Sequence, residues 1–309
     1  MKNLKIAVVG AKGLVGRKMI DVLHERHFDA PSLFGTAADE LETPYGVLPI
    51  AALTPEALMQ AKPDYALMAV DAAVSRKIAP MLAALSITVI DNSTAFRMSE
   101  NVPLIIPEVN AAAVVFSNGI IANPNCTTIQ LLTAVAPLHK AYGIKQMIVN
   151  TYQAVSGAGS DALKKLKSGG EVDGYTLKDN VVAKIDDFCD NGYTKEEMKI
   201  KNETAKILSE NIKVSATCVR VPVKYGHAVS AYLTFSQRVS ASDAIKTLAS
   251  AKNVALCNVP TPQNSVGNDG VTVGRIREDG DGLWLFITAD NLRKGAATNA
   301  VQIIELLEE

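Results

Sequence analysis

The chain has 309 residues, 48% of them hydrophobic and 20% charged, with a formal net charge of −1 at neutral pH. That length suits two domains with separate cores, and the near-neutral balance gives no electrostatic reason to expect nucleic acid or an anionic membrane as partner. The first apolar run breaks at Gly10 without a small-residue cleavage site, and no run is long enough to span a bilayer, so a cytoplasmic chain is expected.

"KIAVVG" opens as a strand and an amphipathic helix follows over residues 14–24. Between them, "VVGAKGLVGRKM" sets Gly10, Gly13 and Gly16 after a strand and before a helix. Glycine permits a tight turn and close backbone approach, and the helix N-terminus attracts negative charge, so the pattern suits a dinucleotide pyrophosphate. The spacing is GxxGxxG, and glycines that only tighten the turn are the other reading. A second strand ends in "PSLFGTAADE", where an acidic residue favours NAD and a basic one NADP. Asp39 falls late and no arginine is present, which leaves the choice open.

Further strands are predicted at "DYALMAV", "ITVID" and "GIIANPN", with a helix over 72–85. Short apolar runs alternating with helices imply a parallel sheet with crossover helices, whose ligands bind at the carboxyl ends of the strands. The second half changes character. Longer alternating strands at 146–155, 213–223, 228–235 and 282–289 predict a more antiparallel sheet, with a charged helix, "KEEMKIKNETAKILSE", between the first two. "NVPTPQNSVGNDG" reads as a loop, and "EDGDG" as a hairpin turn lacking the ligand spacing of a calcium loop. The closing "AATNAVQIIELLEE" puts Ala297, Val301 and Ile304 on one helical face that needs a partner surface.

Cys126, Cys189, Cys218 and Cys257 stand singly, so neither a disulfide framework nor a metal site is expected. "ANPNCTTIQLL" delivers Cys126 from a polar turn to a helix start, where unpaired N–H groups and the macrodipole favour a thiolate nucleophile. The plain alternative makes Asn125 an N-cap with an incidental cysteine after it. Among the histidines, His24, His27 and His139 fall late in helices, whereas His227 opens a strand after Gly226, seven residues past Arg220. A thiol and an imidazole brought together form an activated nucleophile with its acid/base partner; a satisfied surface histidine is the bland reading.

In these residues and the segments around them, the chain resembles the aspartate-semialdehyde dehydrogenase family along almost its whole length. Matching segments in the same order include "VVGAKGLVG", "IDNSTAFRM", "ANPNCTT", "YQAVSGAG", "EEMKIKNETAKIL", "VRVPVKYGH" and "ADNLRKGAATNAVQI". The resemblance implies Cys126 as the nucleophile that forms a hemithioacetal and then a thioester, His227 as the acid/base residue, and Gln153 as the group orienting the acyl chain. It assigns Arg220 to the substrate α-carboxylate, Glu196 to the α-amino group, and Arg97, Asn125 and Lys199 to phosphate. On the cofactor side it implies Gly10, Lys12, Gly13, Leu14, Val15, Gly16 and Thr36, with Ser156, Gly157 and Asn299 nearer the nicotinamide.

The implied architecture is α/β: a doubly wound, Rossmann-type domain over 1–125 plus 291–309, and an α+β substrate and dimerisation domain over 126–290. The implied reaction interconverts L-aspartate 4-semialdehyde and L-4-aspartyl phosphate with inorganic phosphate and NADP, NAD being possible, on the biosynthetic route to lysine, threonine and methionine. A homodimer or homotetramer is expected. Three departures stand out. Thr36, Ala37 and Ala38 replace the arginine-serine pair that often meets the NADP 2′-phosphate, "DAAVS" replaces a glycine pair, and Ala228 and Val229 follow His227 in place of serine-glutamate. Rivals are an N-acetyl-gamma-glutamyl-phosphate reductase, whose cysteine motif differs from "NPNCTT"; a glyceraldehyde-3-phosphate dehydrogenase, which the Glu196 and Arg220 segments do not fit; a cysteine hydrolase; and a non-catalytic paralogue.

Overall fold

Seven strands form the first sheet: β1 (Ile6–Val9), β2 (Ser32–Gly35), β3 (Asp39–Thr43), β4 (Gly46–Ala52), β5 (Tyr65–Met68), β6 (Thr88–Asp91) and β7 (Ile120–Ala122). The computed structural model describes residues 4–208 and 212–309. All pairings are parallel except the β3–β4 hairpin, and the strand order is β3-β4-β2-β1-β5-β6-β7. β1 and β5 are buried along their whole length, which is why both read as unbroken apolar runs. The hairpin was not anticipated: β3 reads "DELET", with only Leu41 buried, so a polar edge strand gave no apolar alternation to detect.

Connectivity places the helix Leu14–Glu25 between β1 and β2, and the helix Ala72–Ala84 between β5 and β6. The C-terminal helix Thr298–Glu308 packs on Leu14–Glu25. Ala297, Val301 and Ile304, the face expected to seek a partner, join Met19, Ile20 and Leu23 in one core cluster. Contacts divide the chain into Met1–Pro124 with Ala296–Glu309 as one unit, and Asn125–Gly295 as the other.

The second unit carries β8 (Ile144–Gln153), β9 (Glu171–Val172), β10 (Tyr175–Thr176), β11 (Lys213–Arg220), β12 (His227–Phe235), β13 (Val254–Leu256), β14 (Val271–Asp279) and β15 (Gly282–Ala289). Six of these make a mixed sheet ordered β11-β8-β12-β15-β14-β13. β12 pairs antiparallel with β8 and β15, whereas β8–β11 and β13–β14 are parallel. The turn at Gly280 and Asp281 joins β14 to β15 as a hairpin, and the loop after β13 contains a short helix, Pro262–Ser265.

The helices Cys126–Tyr142, Lys195–Leu208 and Ala241–Ala249 pack on this sheet. The charged helix begins with a capping box, Thr194 Oγ1 accepting from the Glu197 N–H while Glu197 Oε2 accepts from the Thr194 N–H at 2.7 Å. Ser209 and Glu210, expected to finish it, lie outside the described residues.

Candidate functional site

In the first sheet the strand order reverses between β1 and β5, and such switch points are where open α/β sheets bind ligands. Gly10 ends β1 there with φ +86°, and a Cβ on it would fall 2.3 Å from the Ala69 carbonyl oxygen. A Cβ on Gly16 would lie 2.3 Å from the Gly10 oxygen, so both positions demand glycine for close packing of the turn. Gly13 is different: a Cβ there would meet only the Gly10 oxygen, at 3.4 Å, and as N-cap it offers no side-chain cap to the helix. The first-turn amides of Leu14, Val15 and Gly16 thus remain uncapped by side chains, a donor set that fits a nucleotide diphosphate.

Lys12 forms an ion pair with Asp39, which brings its ammonium beside the residues that follow β2; Thr36 is exposed there. Arg97, buried, donates from Nε to the Asn123 carbonyl at 3.0 Å and from Nη2 to the Asn92 carbonyl at 2.7 Å. Asn299 is completely buried and donates from Nδ2 to the Ile105 carbonyl and to Asn123 Oδ1, so it acts on neighbouring loops and presents no surface of its own.

The second unit gathers Cys126, Gln153, Ser156, Gly157, Glu196, Lys199, Arg220 and His227, with Asn125 beside Cys126. Asn125 is the helix N-cap, its Oδ1 accepting from Thr127 and Thr128, while Cys126 holds the first helical position. Both readings of that stretch therefore coexist: the cap builds the turn that presents the sulfur. Cys126 Sγ lies 3.3 Å from His227 Nε2 across 101 residues of sequence. A Cβ on Gly295 would stand 3.0 Å from the Cys126 Cβ.

His227 is fully buried, not the surface residue of the bland reading. Burial first and the Arg220 guanidinium second push its pKa down to about 3, against the opposing influence of Glu196. The imidazole is neutral at physiological pH. The Ala154 N–H donates to Nδ1 at 3.0 Å, so the ring's single proton sits on Nε2, the nitrogen facing the sulfur.

Ala154 has a second task, its carbonyl accepting from Arg220 Nη1 at 3.0 Å. Arg220 Nε pairs with Asp173 at 3.0 Å. Gly157 closes this group, because a Cβ on it would come within 3.2 Å of His227 Cε1 and 3.4 Å of Arg220 Nη1. Asn291 Oδ1 accepts from Ser156 Oγ at 3.1 Å and from the Gly226 N–H at 2.9 Å, tying the two loops that flank the imidazole.

Glu196 and Glu197 are buried, although they stand on a charged helix. Glu196 Oε1 accepts from Asn125 Nδ2 at 2.9 Å and Gln153 Nε2 at 3.2 Å, and its Oε2 pairs with Lys199 at 3.0 Å. Burial acts to raise the Glu196 pKa, yet Lys199, Asn125 and Gln153 together hold it below the usual range. Lys199 also pairs with Asp186 at 3.0 Å.

Sequence reasoning missed Ala154, Asp173, Asp186, Asn291 and Gly295. Ala154 acts through its backbone, Asp173, Asp186 and Asn291 sit in turns or bends where Asp and Asn are common for local reasons, and Gly295 lies in a short π-helical segment, Arg293–Ala297, that carries no periodic signal. Among the described residues there is no cluster of His, Cys, Asp and Glu suited to a metal, and no helix long and apolar enough to cross a membrane.

The chain matches two family models, "Semialdehyde dehydrogenase, NAD binding domain" over residues 5–116 and "Semialdehyde dehydrogenase, dimerisation domain" over residues 135–294. It is 40% identical to an aspartate-semialdehyde dehydrogenase of Bacillus subtilis over 100% of this chain and 98% of that one. With the Aquifex aeolicus enzyme of the same name it shares 42% identity over 98% and 97% of the two chains. The crystal structure of aspartate semialdehyde dehydrogenase II from Vibrio cholerae complexed with ASA superposes with a TM-score of 0.94 at 37% identity, covering 100% of this chain and 99% of that one.

Proposed function

The chain belongs to the aspartate-semialdehyde dehydrogenase family, and from that premise we propose that it interconverts L-aspartate 4-semialdehyde and L-4-aspartyl phosphate through a thioester on Cys126. The observation that carries this is a cysteine at a helix start whose sulfur lies 3.3 Å from the proton-bearing nitrogen of a buried, neutral histidine.

The Nε2–H of His227 meets Sγ as a hydrogen-bond donor, which favours the thiolate, the nucleophilic form. Cys126 adds to the aldehyde carbon, and the same N–H stabilises the oxyanion that develops next to the sulfur. The thiol's own proton leaves to solvent before the attack, and His227, the acid/base residue of the family, shares its Nε2 proton with the oxyanion as the hemithioacetal forms and keeps it as the oxyanion re-forms. When bound, the nicotinamide cofactor supplies the hydride chemistry that relates hemithioacetal to thioester. Phosphate then attacks the thioester carbon, the C–S bond breaks, and Cys126 returns as thiolate while the phosphate proton passes to solvent.

Arg220 supports binding of the α-carboxylate through its planar guanidinium, and Glu196, held ionised, supports binding of a free α-ammonium. An acylated amine could not use that carboxylate, which weighs against the N-acetylglutamyl sibling. Gln153 orients the acyl group; Arg97, Asn125 and Lys199 are assigned to phosphate. Gly10, Lys12, Gly13, Leu14, Val15, Gly16 and Thr36 are assigned to the adenosine diphosphate part of the cofactor, and Ser156 and Gly157 to its nicotinamide part. Asn299 contributes through Asn123 and Ile105, which it holds.

NADP is the cofactor we favour, with Lys12 as the cation available to its 2′-phosphate. The protein works as a homodimer or a dimer of dimers in the cytoplasm. The partly exposed face of the second sheet, with Ile148, Tyr152, Tyr232, Trp284 and Phe286, is the surface that fits this assembly. The test is reduction of NADP, and separately NAD, by aspartate semialdehyde with and without phosphate at alkaline pH, followed by nicotinamide absorbance. Phosphate-dependent turnover is expected, faster with NADP; folded protein inactive with both cofactors would refute the assignment.

A further inference from the structure

Arg220 is only 3% exposed, and the protein grips it in three places. Its backbone exchanges two hydrogen bonds with Val182, at 2.8 and 3.0 Å. Its Nη1 donates to the Ala154 carbonyl, and its Nε donates to Asp173 Oδ2 at 3.0 Å. Asp173 belongs to a small hairpin, β9 and β10, in which Val172 pairs with Tyr175. The two intervening residues, Asp173 and Gly174, have φ of +55° and +85°, as in a two-residue type I′ turn. The hairpin is anchored, since Val172, Leu177 and Val182 are buried together with Val155 and Ala162. Asp173 is therefore held by a packed segment and does not drift over the site on a loose loop.

The turn alone would explain an aspartate here, but asparagine or glycine would satisfy a type I′ turn equally well. What aspartate adds is a carboxylate on one edge of the guanidinium. An arginine side chain has five N–H donors in a rigid fork. With Nε taken by Asp173 and one Nη1 hydrogen taken by Ala154, the remaining donors are all at the Nη end, and the plane that contains them is fixed.

We propose that Asp173 is a positioning residue for carboxylate recognition, holding the guanidinium edge-on so that the Nη donors of Arg220 face the substrate's α-carboxylate as a preformed pair. This rests on the assignment of Arg220 above and extends it to a residue in a separate hairpin. Asp173 itself touches no substrate; its effect is carried entirely by the orientation of Arg220. A substrate without that carboxylate gains nothing from the arrangement.

The test compares Asp173→Asn and Asp173→Gly, both compatible with the turn, using aspartate semialdehyde and 3-aminopropanal, which keeps the aldehyde and amine but lacks the carboxylate. Asp179→Asn serves as the control, an exposed residue of the same segment that also has positive φ. For Asp173→Gly the KM for aspartate semialdehyde should rise about tenfold, and for Asp173→Asn by about half of that on a logarithmic scale, with kcat within about twofold. The kcat/KM for 3-aminopropanal and the KM for phosphate should stay unchanged in both variants, and Asp179→Asn should match wild type. Equal losses on both aldehydes would make Asp173 a merely structural residue and overturn the proposal, as would variants indistinguishable from wild type. A wild type without phosphate-dependent turnover of aspartate semialdehyde would instead overturn the functional assignment, and this proposal with it.

Discussion

Ala154 uses one N–H and one carbonyl to set both the tautomer of His227 and the direction of Arg220. Its side chain makes neither bond, which is why the segment that contains it did not reveal its task. Cys126 and His227 were legible as residue types in suggestive surroundings, but their pairing was not, because only the folded chain closes the 101 residues between them. The state of His227 has a thermodynamic consequence. Its pKa is about 3 when folded, far below the ordinary value of 6.5, so the unfolded chain binds a proton that the native one does not. Stability from this source is complete above pH 6.5 and is lost as pH falls towards 3. Urea unfolding between pH 6 and 4 should therefore show a His227→Asn variant with a shallower loss than wild type, by up to about 1.4 kcal/mol per pH unit. Parallel slopes would mean that the native imidazole is protonated.

At the other end of the chemistry, Asp39 partners Lys12 beside the end of β2. If Lys12 meets the 2′-phosphate of NADP, a neighbouring carboxylate weakens that contact. Both side chains are about half exposed, at 51% and 50%, so the penalty is screened and modest. Asp39→Asn should raise the NADP over NAD ratio of kcat/KM by about two- to fivefold, read from initial rates. An unchanged ratio would remove Lys12 from the 2′-phosphate site.

Elements were legible where one physical signal dominated. The buried parallel strands announced themselves as apolar runs, and the last helix as a stripe. β3 did not, being an acidic edge strand, and β9 and β10 are too short for any periodicity. The helix Lys195–Leu208 was legible as a charged helix, but the face it buries was not: Glu196, Glu197 and Glu203 all lie in the interior. Glu197 both completes the capping box and accepts the Cys218 N–H of β11 at 2.9 Å, joining the helix to the strand that ends in Arg220. Glu197→Ala should cost about 2–3 kcal/mol in urea unfolding, because it strips a cap and leaves a buried strand amide without its acceptor. A loss below about 0.5 kcal/mol would show that water replaces the carboxylate at little cost.

For the whole molecule, division into a nucleotide-type sheet and a second mixed sheet followed from the change in strand character in the second half, and the position of the boundary only from the family resemblance. The antiparallel pairs of β12 with β8 and β15, and of β14 with β15, match the alternation of those segments, whereas the parallel β8–β11 and β13–β14 pairs were not legible, their partners being separated by long connections. Tyr152 and Ile148 are each 38% exposed on that sheet, among Tyr232, Trp284 and Phe286, an apolar surface that favours association. Sedimentation should give at least a dimer for wild type, and Tyr152→Asp should shift it towards monomer at micromolar concentration. A wild-type monomer would assign this face to another partner.

The first unit is assembled from both ends of the chain, since Ala300, Val301, Ile303 and Ile304 of the last helix complete the core begun by β1. During synthesis, then, the part translated first is finished last. Residues 125–295 form an uninterrupted unit that can close as soon as it clears the ribosome, whereas the amino-terminal sheet must wait, with part of its apolar surface open, until the final turn of helix emerges. The interval in which this protein is most exposed to aggregation and to chaperones is set by the time needed to translate its whole second half.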